Sequence, residues 1–256
     1  MKTFIISIEE ENSPRLNKFL SQPFFQKDNL TFEKIGVKGG DLSAKEYFEL
    51  GVKGRSKPLT PAELGCSLSH LTALRHFLQS SDEYALIFED DAVIPKDLNL
   101  VDLEKAIKNY QLPKNILFSL GGIQMKESRK VRGSLKVEYF LSKLVLEVNP
   151  HFYNRVNYAV SYIVDRAMAS TLIDYHQRIR KADDWSYLFD FNDQVNIYMT
   201  YLIDHPVIEI GEKNLELSSI EVERAISQDL PESKYGKFLG NNLAKFTTTM
   251  YPIDLK

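Results

Sequence analysis

Residues 84–88, Tyr-Ala-Leu-Ile-Phe, form an unbroken apolar run that stops abruptly at Glu89, Asp90 and Asp91. A strand with apolar side chains on both faces must be covered on both sides, so the run predicts an interior strand with helices above and below it. Similar runs rich in Ile, Val, Phe and Tyr recur at 3–8, 31–35, 115–120 and 158–164. Between them lie stretches of helical period at 14–20, 61–79, 102–110 and 166–180. This alternation is that of an α/β sheet flanked by helices. The sharpest helix start is Thr60-Pro61-Ala62-Glu63, a Thr cap with Pro at the first helical position and a Glu placed to bond back to the cap. From there Leu64, Leu68, Leu71, Leu74 and Leu78 recur at threes and fours and form one apolar stripe.

Composition excludes several classes. A chain of 256 residues with 43% apolar side chains can bury a core, which rules out intrinsic disorder. Lys and Arg number 32 against 35 Asp and Glu, a formal charge of −3, so the footprint of a dedicated nucleic-acid binder is missing and no nucleic-acid partner is expected. The single cysteine, Cys66, cannot close an intramolecular disulfide, which fits a reducing compartment and a cytoplasmic location. The first strand is too short and too acid-flanked for a signal peptide, and no apolar run approaches the roughly 20 residues of a membrane-spanning helix. The chain is expected to be soluble, or peripheral at most.

Three carboxylates at the end of a buried strand demand a counter-charge. If extended geometry continues through the triplet, Glu89 and Asp91 project to one face and Asp90 to the other. Two acids in one small volume are stable only when a proton, a basic side chain or a divalent cation offsets part of their charge. The carboxyl ends of strands are where α/β sheets bind ligands. A Mg2+ or Mn2+ held there by one or two carboxylates keeps positions open for phosphate oxygens, which points to a diphosphate ligand. The plainer alternative is that the acids cap a helix or mark a solvated turn.

The stretch 59–70, Leu-Thr-Pro-Ala-Glu-Leu-Gly-Cys-Ser-Leu-Ser-His, followed about a dozen residues later by Tyr84 to Ala92, resembles the signature of glycosyltransferase family 25. That family includes lipooligosaccharide galactosyl- and glucosyltransferases of Gram-negative bacteria. Further pieces fall in the family's order: a first strand with Arg15 after it, Leu120-Gly121-Gly122, a strand around Tyr162 leading into an Ala-rich helix, and Asp183-Asp184-Trp185. The resemblance spans roughly residues 1–210. It implies a GT-A type fold, a single Rossmann-like domain with a mostly parallel mixed sheet. It also implies an inverting transfer of a hexose, galactose or glucose, from a UDP-sugar to a lipooligosaccharide or other surface glycan, dependent on Mn2+ or Mg2+. The domain is expected over 1–232, and the Lys-bearing stretch at 233–256 is set apart as a tail by its composition.

Carried onto this sequence, the resemblance makes Asp91 the direct metal contact. Glu89 serves as a further ligand, and Glu89 and Asp90 contact metal through water or the sugar hydroxyls. Ile8, Arg15, Gly121 and Gly122 join the donor pocket, although an early Arg is usually at the surface and Gly pairs mostly mark turns. Gly39 and Gly40 carry the same ambiguity. Asp184, with Asp183 as rival, is the candidate base for the acceptor hydroxyl, and Trp185 beside it a flat face for a sugar. An Asp before a helix is also a common N-cap, and a lone Trp a common core residue. His205 is a candidate metal ligand, since some GT-A enzymes supply a late histidine. His70 is expected to bond backbone or an acid beneath the site; His70 and His76 lie six apart and do not form a helical two-histidine metal site. The tail, with Lys234, Lys237, Lys245 and Lys256 among aromatic and Leu residues, either packs on the domain or lies on an anionic membrane, a peripheral association with the inner membrane. Two other classes use the same features: a metal-dependent phosphotransferase, and a catalytically silent sugar-nucleotide-binding module.

Overall fold

Buried apolar strands assemble the described residues around one nine-stranded sheet. In the computed structural model, which describes residues 1–27, 30–206, 220 and 238–252, the strands are β1 (Lys2–Ile6), β2 (Glu33–Ile35), β3 (Tyr84–Glu89), β4 (Ile116–Ser119), β5 (Arg132–Leu135), β6 (Leu146–Val148), β7 (Ser161–Asp165), β8 (Asn196–Met199) and β9 (Thr249–Met250). Their spatial order is β2-β1-β3-β7-β4-β8-β6-β5-β9. The principal helices are α1 (Pro14–Leu20), α2 (Ala44–Tyr47), α3 (Pro61–Gln79), α4 (Leu100–Asn109), α5 (Arg166–Tyr175), α6 (Leu188–Phe191) and α7 (Phe238–Thr247).

Successive β3 side chains enter two separate cores. Ala85 and Ile87 pack with Leu64, Leu71, Leu74 and Phe77 of α3 and with Met168 and Leu172 of α5. Leu86 and Phe88 pack on the opposite face with Leu16 and Phe19 of α1 and Leu103 and Ile107 of α4. The apolar run is therefore a central strand covered on both sides, as its sequence predicts. The long helix also starts as expected: Thr60 accepts from the Glu63 amide at 3.2 Å while Glu63 Oε2 accepts from the Thr60 amide at 3.1 Å.

The expectation of a mostly parallel sheet is corrected. Pairing is parallel at β1/β2, β1/β3 and β4/β8, and antiparallel at the other five ladders. The decisive strand is β7, which runs antiparallel between β3 and β4. Its apolar run arises from cover on both faces, and that pattern carries no information on direction. The expected domain boundary at 232/233 lies outside the described residues, as do Lys234, Lys237 and Lys256 of the tail. The described part of the tail packs on the domain: β9 extends the sheet beside β5, Ala244 joins the core, and Arg132 donates to the Thr248 carbonyl at 2.8 Å. Leu243 and Phe246 of α7 remain exposed. Among the described residues no helix is long and apolar enough to cross a membrane.

Gly39 and Gly65 mark a close chain crossing at the start of α3. A Cβ on Gly65 would lie 2.5 Å from the Val37 carbonyl oxygen and 2.6 Å from the Gly39 nitrogen, whereas one on Gly40 would meet nothing within 4 Å. The backbone that Gly39 admits is thus the chain's own, at Pro61 and Gly65. Gly65→Ala is predicted to destabilise the fold by about 1–3 kcal/mol in urea unfolding, because backbone must move, while Gly40→Ala stays within about 0.5 kcal/mol.

His176, just after α5, is buried, and burial pushes its imidazole down to about 4. The native fold thus keeps neutral a group that the unfolded chain protonates near 6.5. Its contribution is complete above about pH 6.5 and is lost as pH falls from there toward 4. Unfolding free energies across this window should fall with a slope of up to about 1.4 kcal/mol per pH unit from this group. In His176→Asn that component should vanish; an unchanged acid limb in the variant would refute the assignment.

Candidate active site

Strand β3 ends in register with β1, Ile6 facing Glu89, and the chain turns at once: the Ala92 amide donates to the Glu89 carbonyl at 3.1 Å. Extended geometry therefore does not continue through the triplet. The expected grouping, Glu89 with Asp91 and Asp90 apart, is replaced by another. Glu89 keeps the strand's alternation and points to the α3 face, where Oε1 lies 3.2 Å from His70 Nε2 and 3.9 Å from Cys66 Sγ. Asp90 turns to the α1 face. It accepts from Ser7 Oγ at 2.5 Å and from Arg15 Nε and Nη2 at 2.8 and 2.5 Å. Asp91 sits in the turn between Arg15, 3.4 Å away, and His205, whose Nε2 is 3.5 Å from Oδ2.

Basic side chains thus supply part of the counter-charge that the triplet requires. Burial alone raises Asp91, but its bond to His205 and the charges of His205 and Arg15 outweigh that and hold the carboxyl below its ordinary range. Burial lowers His205, and the Asp91 carboxylate more than reverses this, raising the imidazole. For Asp90 burial wins and the carboxyl is raised, although Arg15 and Ser7 oppose it.

His205 comes from far along the chain and is placed by backbone. Val93, two residues beyond Asp91, exchanges a pair of hydrogen bonds with Asp204, at 2.9 and 3.0 Å. Leu202 and Ile203 both donate to the Leu120 carbonyl, at 2.9 and 2.8 Å. Gly121 lets this segment pass, since a Cβ there would lie 2.5 Å from the Ile203 oxygen. Gly122 adopts φ +85° against the Asn157 carbonyl. Both glycines so have a reason in the chain's own packing. The His205 ring donates from Nδ1 to the Pro206 carbonyl at 2.7 Å, leaving Nε2 as the nitrogen turned to Asp91.

The arrangement has the features of a cation site. Asp91 Oδ1 is buried and has no hydrogen-bond partner among the described residues. An imidazole with its distal nitrogen bonded to a carbonyl is the usual posture of a histidine ligand. Asp91 and His205 could therefore hold a divalent ion, with Arg15 fixing Asp90 and Asp91 relative to each other.

The remaining sequence candidates lie around this centre. Ile8 follows β1 and is partly exposed. Asp183 Oδ2 accepts from the Tyr158 amide at 3.1 Å, and the Tyr158 ring lies 5.4 Å from that of His205. Tyr158 itself has φ +70°, a strained conformation for a bulky residue, and donates its hydroxyl to Glu127 at 2.7 Å. Asp184 is instead bonded within its own turn, accepting from the Ser186 amide at 3.1 Å, with Arg180 at 3.6 Å. Trp185 is buried, only 4% exposed, so the expected sugar-stacking face is corrected to a core position. It lines a small cavity with Ser67, His70, Tyr162 and His176. Ser7 and Tyr158 join the site without having been singled out from the sequence; only their place next to β1 and β7 brings them in. Cys66 lies within the 59–70 motif, but in the sequence it bears only on the redox compartment.

Comparison with known proteins adds the family. A search of curated proteins finds no match. Among solved structures, the crystal structure of A197 from STIV is similar at 17% identity and a TM-score of 0.41, covering 81% of this chain and 87% of that one. So distant a likeness bears on neither fold nor function. Residues 1–187 match the profile of glycosyltransferase family 25, described as an LPS biosynthesis protein, a span that includes the acid triplet, Arg15 and the α3 motif. The chain belongs to glycosyltransferase family 25.

Proposed function

We propose that this chain transfers a hexose, galactose or glucose, from a UDP-sugar to a lipooligosaccharide or related surface glycan, with inversion, on a GT-A type domain. In this reading Mn2+ or Mg2+ is held by Asp91 and His205, and the enzyme works at the cytoplasmic face of the inner membrane. The observation that carries the reading is the buried Asp91 carboxylate, whose Oδ1 has no hydrogen-bond partner among the described residues while its Oδ2 faces His205 Nε2. The carboxylate oxygen is a donor that suits Mn2+ or Mg2+, and the imidazole adds a neutral nitrogen donor to it.

When bound, the ion supplies Lewis-acid stabilisation of the departing nucleoside diphosphate, worth several kcal/mol. The protein's own groups do the rest. Arg15 and Ser7 fix Asp90, and through Arg15 the position of Asp91 is set. The Val93–Asp204 pairing holds His205 in reach. A carboxylate must take the proton of the acceptor hydroxyl as the new bond forms, a contribution of about 10²- to 10⁴-fold. Asp184 and Asp183 remain the candidates. Of the two, Asp183 is bonded to a residue that touches His205.

A panel of UDP-sugars with and without Mn2+, read by UDP release and thermal shift, tests the proposal. One UDP-hexose should be turned over only with the ion. Binding without turnover would favour the silent module, and phosphoryl transfer without sugar transfer the phosphotransferase. Asp91→Asn is predicted to lower kcat/KM by about 10³-fold or more and to abolish Mn2+-dependent UDP binding with the fold retained; undiminished activity removes the metal assignment. Asp184→Asn should keep donor binding and lose about 10²- to 10⁴-fold in transfer. If Asp183→Asn alone behaves so, Asp183 is the base.

A further inference from the structure

Glu89, turned away from Asp91, belongs to a second cluster. Cys66 and His70 lie one turn apart on α3 and so share a face. Their donor atoms meet Glu89 Oε1 at 3.9 Å from Sγ and 3.2 Å from Nε2, and the three atoms lie within 4.8 Å of one another. Around a tetrahedral zinc ion, with bonds of about 2.0 Å to nitrogen, 2.1 Å to oxygen and 2.3 Å to sulfur, ligand atoms stand roughly 3.3–3.6 Å apart. Small side-chain adjustments close this cluster on one ion.

The surroundings fit as well. The other nitrogen of His70, Nδ1, lies 2.8 Å from the Tyr162 hydroxyl, the kind of outer partner that orients a ligating imidazole. Tyr162 is wholly buried, and burial raises its phenol well above 10, so it stays a neutral partner. Glu89 and Cys66 are only partly buried, which leaves an approach for the ion.

We propose that Cys66, His70 and Glu89 form a three-residue site for zinc(II), separate from the Asp91–His205 pair and with one coordination position left open. Binding removes the Cys66 thiol proton to solvent. Thiolate and carboxylate then offset both charges of the ion, and the imidazole binds neutral. A thiolate selects zinc over Mn2+ and Mg2+, so the two neighbouring sites differ in the cation they take. The inference does not rest on glycosyl transfer, and its test reads metal binding alone.

The full chain, stripped of metal, is titrated with Co2+ as a spectroscopic stand-in for zinc. Cys66 is the only cysteine, so a thiolate-to-cobalt charge-transfer band reports this site alone. The expected result is a band that saturates at one equivalent, is bleached by Zn2+ but not by Mn2+, and persists in Asp91→Asn. Zinc affinity, measured against a chromophoric chelator, should fall at least about tenfold in Cys66→Ser and in Glu89→Gln. In the unaltered chain, Zn2+ but not Mn2+ should slow alkylation of Cys66 by iodoacetamide, which needs no variant to fold. Absence of the band, or equal alkylation rates with and without Zn2+, overturns the proposal.

Discussion

The ion pair between Arg15 and Asp90 is the constraint around which the site is organised. Asp90 is nearly buried at the end of the central strand, and a buried carboxylate is tolerated only when paired and hydrogen-bonded. Arg15 donates to it twice and Ser7 once, so a side chain from α1 and one from the end of β1 close on the end of β3. The same guanidinium reaches Asp91, which allows two adjacent acids to stand in a tight turn. Removing one partner of such a pair costs about 3–5 kcal/mol, much of it from the charge left behind. The pair thus ties fold and site together: what anchors the first helix also shapes the acidic turn.

Much of this was legible from residues alone, and the reason is local. The central strand declares itself because cover on both faces needs a continuous apolar run, and the triplet marks its end. Helix α3 runs over Pro61–Gln79, matching its predicted span, because the Thr60 and Glu63 capping box and the preset φ of Pro61 are side-chain chemistry within one turn. His70 bonds an acid beneath the site, as its place on α3 suggests.

What was not legible depends on distant partners. Strands β5, β6 and β8 are three or four residues long and show too little alternation to stand out. The direction of β7 is set by the path of the chain rather than by its composition. The turn after Glu89 reverses the expected grouping of the acids, and nothing within the triplet encodes it. His205 reaches Asp91 only because Val93 and Asp204 pair and because Gly121 lets the chain through. Trp185 shows the same limit, since a lone indole reads alike as sugar platform and as core.

The strand end therefore parts its three acids among three tasks. Asp90 is bound by Arg15 and Ser7; Asp91 faces His205 with one oxygen unpartnered among the described residues; Glu89 meets a thiol and an imidazole on α3. The central claim is that the Asp91–His205 pair holds the cation that grips the donor's diphosphate. Anomalous diffraction from a crystal soaked with UDP and Mn2+ tests it most directly. The account predicts a manganese peak at about 2.0–2.3 Å from Asp91 Oδ1 and His205 Nε2, with both phosphates beside it. A peak elsewhere, or UDP bound with Asp91 still paired only to His205 and Arg15, would contradict it.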